Sequence, residues 1–96
     1  ADTLDGGAGG DLASYRGSEE AVTVDLARGT GAGGDAAGDR LTGIEGVEGT
    51  TGNDTLRGDA ADNLLSGTAG DDLLAGRAGN DLLAGGGGAD TLRGDA

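Results

Sequence analysis

The 96-residue sequence contains no cysteine, no histidine and no lysine, and each absence excludes a class of chemistry. Without cysteine there is no disulfide, no thiolate metal site and no thiol redox chemistry. Without histidine and lysine there is no Ser-His-Asp triad, imidazole zinc site, Schiff base or P-loop lysine. A single aromatic residue, Tyr15, and six arginines against 18 carboxylates argue against a nucleic-acid-binding surface.

Large apolar residues are also scarce. Leucine, isoleucine and valine together make up 16 of 96 residues in a chain of net charge -12, a composition typical of disordered proteins. No apolar run exceeds three residues, so the sequence predicts neither a transmembrane span nor the core of a signal peptide. The chain has no initiator methionine, and we expect both ends to lie within a longer protein. Something other than an apolar core must supply the free energy of folding.

The abundant residue is glycine, with 24 copies, many of which follow a nine-residue repeat. From Gly49 the sequence reads GTTGNDTLR, GDAADNLLS, GTAGDDLLA, GRAGNDLLA and GGGGADTLR without a gap. Position 1 is always Gly, position 6 is Asp or Asn, and position 8 is always Leu. We predict a single domain over 1–96, with repeats at 1–14, an irregular insertion at 15–48 that contains one degenerate repeat at 34–42, and a regular array at 49–96.

A nine-residue unit rich in glycine predicts strands and turns rather than helices. Each unit divides into a six-residue turn and a three-residue strand, and two units make one turn of a flattened coil. The position-8 leucines then face inward between two parallel sheets, and each strand pairs with the strand two units on. In the insertion, Val22, Val24 and Leu26 alternate with polar residues, which predicts a half-buried strand, and 43–48 is interpreted as a short turn and strand.

The position-6 aspartates acquire close neighbours in such a coil. Aspartates two units apart lie on the same edge in successive layers, about 4.8 Å apart, and stacked carboxylates repel one another unless a cation lies between them. Glycines at positions 1 and 4 permit positive φ, so the carbonyls of the turn can point inward. Carboxylate and carbonyl oxygens without nitrogen or sulfur donors favour calcium over magnesium.

The units resemble the GGxGxDxUx nonapeptide of the repeats-in-toxin (RTX) or haemolysin-type calcium-binding family. The resemblance implies an all-β fold, a right-handed parallel β-roll (β-solenoid) with two short strands and about 18 residues per turn. It implies that each Ca²⁺ lies between one turn and the turn two units on, bound by motif aspartates and loop carbonyls. It also implies type I secretion, a Gram-negative source, and an extracellular or cell-surface location.

The resemblance assigns ligands position by position. The side-chain ligands are Asp11, Asp39, Asp54, Asn63, Asp72, Asp81 and Asp90. The carbonyl ligands are those of Gly49, Thr51, Asn53, Gly58, Ala60, Gly67, Ala69, Asp71, Gly76, Ala78, Asn80, Gly85 and Gly87. We expect about four to six Ca²⁺ ions, since five would bring the charge of -12 close to neutral.

The spacing also predicts which side chains share an ion. The expected pairs are Asp54 with Asp72, Asp72 with Asp90, and Asn63 with Asp81, and a returning insertion would add Asp11 with Asp39 and Asp39 with Asp54. The site at Asn63 is expected to be the weakest, because an amide replaces a carboxylate there.

The sequence therefore predicts a calcium-binding structural and folding module of a larger secreted bacterial protein, disordered without Ca²⁺ and not itself an enzyme. One alternative is the C-terminal calcium module of a secreted hydrolase, epimerase or protease. Another is a calcium-dependent, self-assembling surface-layer or adhesin element. Outward-facing Leu64, Leu73 and Leu82 would suit a neighbouring domain or a second copy, and the GxGxxG pattern at 29–34 is interpreted as a glycine-rich turn because no helix follows it.

Overall fold

The structure, a computed structural model, describes residues 3–7, 11–16, 18, 20–77 and 79–94. This part of the chain forms short strands and one 3₁₀ turn at Gly34–Ala36. The strands are β1 (Thr3–Asp5), β2 (Leu12–Ser14), β3 (Thr23–Asp25), β4 (Thr30–Ala32), β5 (Arg40–Thr42), β6 (Gly46–Glu48), β7 (Thr55–Arg57), β8 (Leu64–Ser66), β9 (Leu73–Ala75), β10 (Leu82–Ala84) and β11 (Thr91–Arg93). No helix in the described ranges is long and apolar enough to cross a membrane.

The strands form two sheets, one of seven strands in the order β1-β5-β4-β3-β7-β9-β11 and one of four in the order β10-β8-β6-β2. Strands of the regular array alternate between the sheets and pair in parallel with the strand two units on. Thr55 lies opposite Leu73, Leu73 opposite Thr91, and Leu64 opposite Leu82, so each pairing joins equivalent positions of units two apart. The predicted parallel β-roll, with two units in each turn, is confirmed.

The core is a ladder of position-8 leucines between the two sheets. Leu56, Leu65 and Leu74 are completely buried, because the pleat of a three-residue strand points its middle side chain to one face. Leu83 is partly buried, and Leu92 is 44% exposed. The exposure of Leu92 follows from its place on β11, which is the last strand of its sheet in the described residues.

The insertion adds apolar side chains to this ladder. Val22, Val24 and Leu26 are buried on and beside β3, as their alternation predicts. The strand expected within 43–48 is present as β6, and its Val47 is completely buried.

The sequence did not reveal β4. This strand runs antiparallel to both β3 and β5, so a hairpin of β3 and β4 enters the seven-stranded sheet between the repeat strands β5 and β7. Its residues, Thr30-Gly31-Ala32, include no large apolar side chain and therefore give no alternation signal.

The hairpin corrects one expectation about the aspartates. Asp11 precedes β2 in the four-stranded sheet, whereas Asp39 precedes β5 in the seven-stranded sheet. Asp54 precedes β7, which is separated from β5 by both strands of the hairpin. The expected pairs Asp11 with Asp39 and Asp39 with Asp54 are therefore wrong, because the insertion returns to the sheet with two extra strands.

Candidate metal centre

Six acidic side chains and one amide lie immediately before strands and form two rows along the edges of the roll. The first row consists of Asp54, Asp72 and Asp90, which precede β7, β9 and β11. The second row consists of Asp11, Glu45, Asn63 and Asp81, which precede β2, β6, β8 and β10. The second row has one side chain before each strand of the four-stranded sheet, whereas the first row covers only β7, β9 and β11 of the seven-stranded sheet.

Backbone hydrogen bonds hold the first row together. The Asp54 N–H donates to Oδ1 of Asp72 at 2.8 Å, and the Asp72 N–H donates to Oδ1 of Asp90 at 2.9 Å. Each carboxylate therefore reaches back to the main chain of the preceding layer of its sheet. The structure thus places Asp72 between Asp54 and Asp90, the two neighbours that the spacing predicts.

Asp72 has an unusual electrostatic environment. Its Oδ2 is buried and has no hydrogen-bond partner among the described residues. The pKa of Asp72 is raised from 3.8 to about 6, chiefly by burial and also by the charges of Asp54 and Asp90, against the lowering effect of the hydrogen bond from the Asp54 N–H. A bound cation would remove both causes, because it would replace the missing solvation and neutralise the row.

Asp54, in the same row, is satisfied by protein donors. Its Oδ1 accepts hydrogen bonds from the Val22 N–H at 2.8 Å and the Thr50 hydroxyl at 2.9 Å, and its Oδ2 accepts one from the Thr50 N–H at 2.7 Å. Val22 directly precedes β3 of the inserted hairpin, which here takes the place of a preceding repeat. The insertion thus supplies Asp54 with a donor that the sequence analysis did not foresee.

The second row has the same construction. The Asn63 N–H donates to Oδ1 of Asp81 at 2.7 Å, and the Asp11 N–H donates to Oε1 of Glu45 at 2.9 Å. Oδ2 of Asp11 and Oδ2 of Asp81 are buried without a partner in the described part of the chain. Sequence reasoning missed Glu45, although it lies two repeat lengths before Asn63 and the period alone could have found it.

Asn63 differs from its neighbours in the second row because both of its side-chain polar atoms have partners. Its Nδ2 donates to the Glu45 carbonyl at 3.1 Å, and its Oδ1 accepts from the Asp59 N–H at 2.8 Å. The Asn63 side chain thus leaves no polar atom without a partner, whereas Oδ2 of Asp11 and Oδ2 of Asp81 have none in the described part of the chain. The weakness of this site stays a prediction.

Asp39 lies outside both rows. It is 3% exposed, and its Oδ2 accepts a hydrogen bond from the Tyr15 hydroxyl at 2.9 Å. The structure therefore gives this carboxylate a buried hydrogen-bonding partner from the insertion, and it does not bring Asp39 together with the other described candidates.

Position-1 glycines wrap closely around the position-6 side chain of the same unit. A Cβ added at Gly67, Gly76 or Gly85 would lie less than 3.0 Å from Oδ2 of the aspartate at position 6. Any side chain at these glycines would therefore fill the space beside the carboxylate. The invariant glycine of the repeat preserves a small cradle next to each acid.

Twelve of the thirteen carbonyl groups assigned as ligands belong to described residues and are free of other hydrogen bonds within that part of the chain. Within the described residues, no hydrogen bond is accepted by the carbonyls of Gly49, Thr51, Asn53, Gly58, Ala60, Gly67, Ala69, Asp71, Gly76, Asn80, Gly85 or Gly87. The assigned carbonyl of Ala78 lies outside the described residues. These oxygens leave the turns with a donor set suited to a hard cation.

Position-5 side chains form a further ladder that the sequence analysis did not identify. Asn53 accepts a hydrogen bond from the Asp71 N–H, Asp71 accepts one from the Ala89 N–H, and Asp62 accepts one from the Asn80 N–H, each at 2.8 Å. These side chains reach forward to the next layer, in the opposite direction to the position-6 side chains. The two ladders together fix each turn to its neighbours.

Among the described residues, no group of three or more acidic side chains converges on one point. Each candidate centre therefore has at most two neighbouring carboxylates of its row, and backbone carbonyls would have to complete the coordination of a cation. The oxygen-only donor set, the buried unpartnered carboxylate oxygens and the glycine cradles all fit calcium.

The comparison with known families agrees with this chemistry. Four copies of the RTX calcium-binding nonapeptide repeat match the chain, at residues 1–13, 48–83 and 66–96, which together cover more than half of it. The chain belongs to this family. The RTX family is a calcium-binding repeat rather than a catalytic domain. The chain matches no individual curated protein.

Proposed function

We propose that this RTX chain is a calcium-dependent folding module of a larger secreted bacterial protein, disordered without Ca²⁺ and without catalysis of its own. The observation that carries the proposal is the burial of Oδ2 of Asp11, Asp72 and Asp81 without a donor from the described chain. A buried unpaired carboxylate is strongly destabilising, and calcium would supply the missing charge and ligation.

The proposed sites follow the two rows. In the first row, Asp72 and Asp90 hold one ion together with carbonyls of their turns. Asp54, whose carboxylate also accepts hydrogen bonds from Val22 and Thr50, contributes to a second ion with Asp72. In the second row, Asp81 acts with Asn63, and Asp11 acts with Glu45. We propose about four to six ions in total, a number supported by the charge of -12.

Calcium binding would be coupled to folding because little else holds the metal-free chain together. The fully buried ladder leucines are Leu56, Leu65 and Leu74, and the strands around them have only three residues each. Short strands and a small apolar core contribute little free energy of folding to offset the electrostatic repulsion between the carboxylates of each row. Binding free energy then becomes folding free energy.

Circular dichroism of the chain in excess EGTA, and then in a calcium titration, tests this proposal. We expect a disordered spectrum in EGTA and a cooperative change to a β spectrum with Ca²⁺. Magnesium at the same concentration is the control, and it should have little effect because it requires a tighter octahedral shell. A complete β spectrum in EGTA would contradict the proposal.

The secretory context is the second half of the proposal. RTX proteins are typically secreted, and we propose an extracellular or cell-surface location, with Gram-negative type I secretion. The complete gene sequence tests this directly, since we expect the repeats to continue into a longer open reading frame that carries other domains. A gene that encodes only these 96 residues would contradict it.

A further inference from the structure

Positive charge is concentrated on the outer face of the seven-stranded sheet of this acidic protein. The sheet register places Asp25, Arg57, Ala75 and Arg93 in one line across β3, β7, β9 and β11. Arg57 and Arg93 therefore flank the small side chain of Ala75. Neither position belongs to the aspartate rows.

A hollow of about 300 Å³ lies above Ala75. It is lined by Arg57, Arg77, Arg93, Leu73 and Ala75, so three of the six arginines of the chain surround an apolar floor. The small Ala75 between two long arginines creates the space. No carboxylate lines the hollow in the described residues.

Asp25 shows how an arginine of this hollow recognises a carboxylate. Arg77 binds Asp25 through two parallel contacts, Nη1 to Oδ1 and Nη2 to Oδ2, both at 3.2 Å. This fork-to-fork geometry suits the planar carboxylate group. The pair also fixes Arg77 in place at the side of the hollow.

Arg57 and Arg93 remain available for a similar contact. Both are exposed, and the side chain of neither makes an ion pair or a hydrogen bond within the described residues. These two guanidinium groups lie beside the Arg77–Asp25 pair, and each can donate charge-assisted hydrogen bonds to an anion in the hollow.

We propose that this arginine hollow binds carboxylate side chains of an acidic peptide segment on a partner protein or neighbouring domain. The internal Arg77–Asp25 pair supplies the chemical template, and the floor of Leu73 and Ala75 can pack against the methylenes of a glutamate. A short acidic segment meets only this local positive patch. An extended anionic membrane would instead meet the -12 charge of the whole chain.

Fluorescence polarisation with a fluorescein-labelled hexaglutamate peptide tests the site in saturating calcium. We expect saturable binding to the full chain, weakened about tenfold or more in the double variant Arg57→Ser/Arg93→Ser because two charge-assisted contacts are lost. The matched control is Arg16→Ser/Arg40→Ser, which removes the same charge from two exposed arginines outside the hollow. This control should bind within about twofold of the unaltered chain.

Two further measurements keep the test decisive. Circular dichroism of both double variants in calcium should match that of the unaltered chain, so that a loss of binding reports the hollow rather than the fold. Equal weakening in both variants, or no hexaglutamate binding at all, would overturn the proposal. A chain that co-sediments with vesicles of phosphatidylcholine and phosphatidylglycerol but does not bind hexaglutamate would also overturn the proposal. That result would indicate a membrane partner. A normal calcium titration in the failing variant separates this result from a failure of the proposed calcium function.

Discussion

Asp54 and Asp72 are the same residue at the same position of two repeats, yet their surroundings differ. Asp54 receives three hydrogen bonds from Val22 and Thr50, whereas Oδ2 of Asp72 receives none in the described chain. At the scale of single residues, the nine-residue period therefore identifies the candidate ligands but does not rank them. The ranking depends on additional hydrogen-bond donors, Thr50 in the same turn and Val22 in the irregular part of the insertion, which the period does not predict.

Asp72→Asn should raise the calcium midpoint of folding about tenfold, because a charged ligand between two neighbouring acids is lost. The substitution keeps the shape of the side chain and an oxygen that can accept the hydrogen bond from the Asp54 N–H. Asp71→Asn is the control, since it removes the same charge from an exposed neighbour and its amide oxygen can still accept from the Ala89 N–H. Calcium titrations followed by circular dichroism measure both midpoints. Equal shifts would show that net charge, and not the position of Asp72, controls binding.

The raised pKa of Asp72 predicts how the metal-free chain responds to pH. Between 3.8 and about 6 the folded form holds a proton on Asp72 that the unfolded chain has released. The metal-free fold should therefore lose stability as the pH rises from about 4 to about 6, with no further loss from this group above that range. Circular dichroism in calcium-free buffer should show more β structure at about pH 5 than at about pH 7.5, a difference that Asp72→Asn reduces. An identical pH response in the two proteins would contradict this assignment.

At the scale of the elements, the turns of the regular array are of two kinds. The turns that begin at Gly67, Gly76 and Gly85 have positive φ at their second and fourth residues. The expectation of positive φ is therefore confirmed at position 4 and wrong at position 1, whose glycines in these turns are needed for the space beside the carboxylate instead. The turns that begin at Gly49 and Gly58 do not, since side chains organise them instead. The second residues of these two turns, Thr50 and Asp59, accept hydrogen bonds from the N–H groups of Gly52 and Ala61.

This difference explains a departure from the repeat pattern. Ala61 occupies position 4, where most units have glycine, and it is tolerated because the turn closed by Asp59 needs no positive φ there. Conversely, Thr68 and Arg77 adopt φ of 67° and 64° at position 2, where the family pattern has glycine. The backbone conformation of a turn thus depends on side chains that the consensus treats as variable.

Gly88→Ala should destabilise the folded chain by about 2 kcal/mol, because Gly88 has a φ of 94° and a Cβ there would collide with the Gly70 carbonyl. The neighbouring Gly87→Ala is the control, since a Cβ at Gly87 meets no atom within 4 Å. Urea unfolding in saturating calcium compares the two. A Gly88→Ala variant as stable as Gly87→Ala would show that this turn adopts a different conformation from the one described.

The nine-residue period and the pleat of a strand were sufficient to predict the parallel strands, their two-unit register and the buried leucine ladder. Each repeat of the regular array places its glycine, its Asp or Asn and its leucine at the same positions, so every unit forms its strand in the same way. They were not sufficient for β4, since Thr30-Gly31-Ala32 has neither a repeat nor an apolar alternation. The same gap produced the incorrect pairing of Asp39, because one unseen hairpin displaces every later strand of its sheet. Glu45 was missed because residues 40–48, read as a unit, have neither Gly at position 1 nor Leu at position 8, so only the spacing of 18 residues from Asn63 marks it.

At the scale of the whole molecule, the aspartate rows and the arginine hollow lie on different surfaces. The aspartate rows follow the edges of the roll, while Arg57, Arg77 and Arg93 gather on the outer face of one sheet. The inserted hairpin links the two regions, since Val22 donates to Asp54 and Asp25 binds Arg77. Calcium in the rows would therefore reduce the overall negative charge while leaving the arginine face unchanged.

The central claim is that calcium converts an expanded chain into this compact roll, and small-angle X-ray scattering tests it most directly. The folded chain has a Cα radius of gyration of 11.7 Å. An unfolded chain of this length should have a radius of gyration of about 31 Å. We predict a radius near the folded value in saturating calcium and near the unfolded value in excess EGTA. The same compact radius in both solutions would contradict the account.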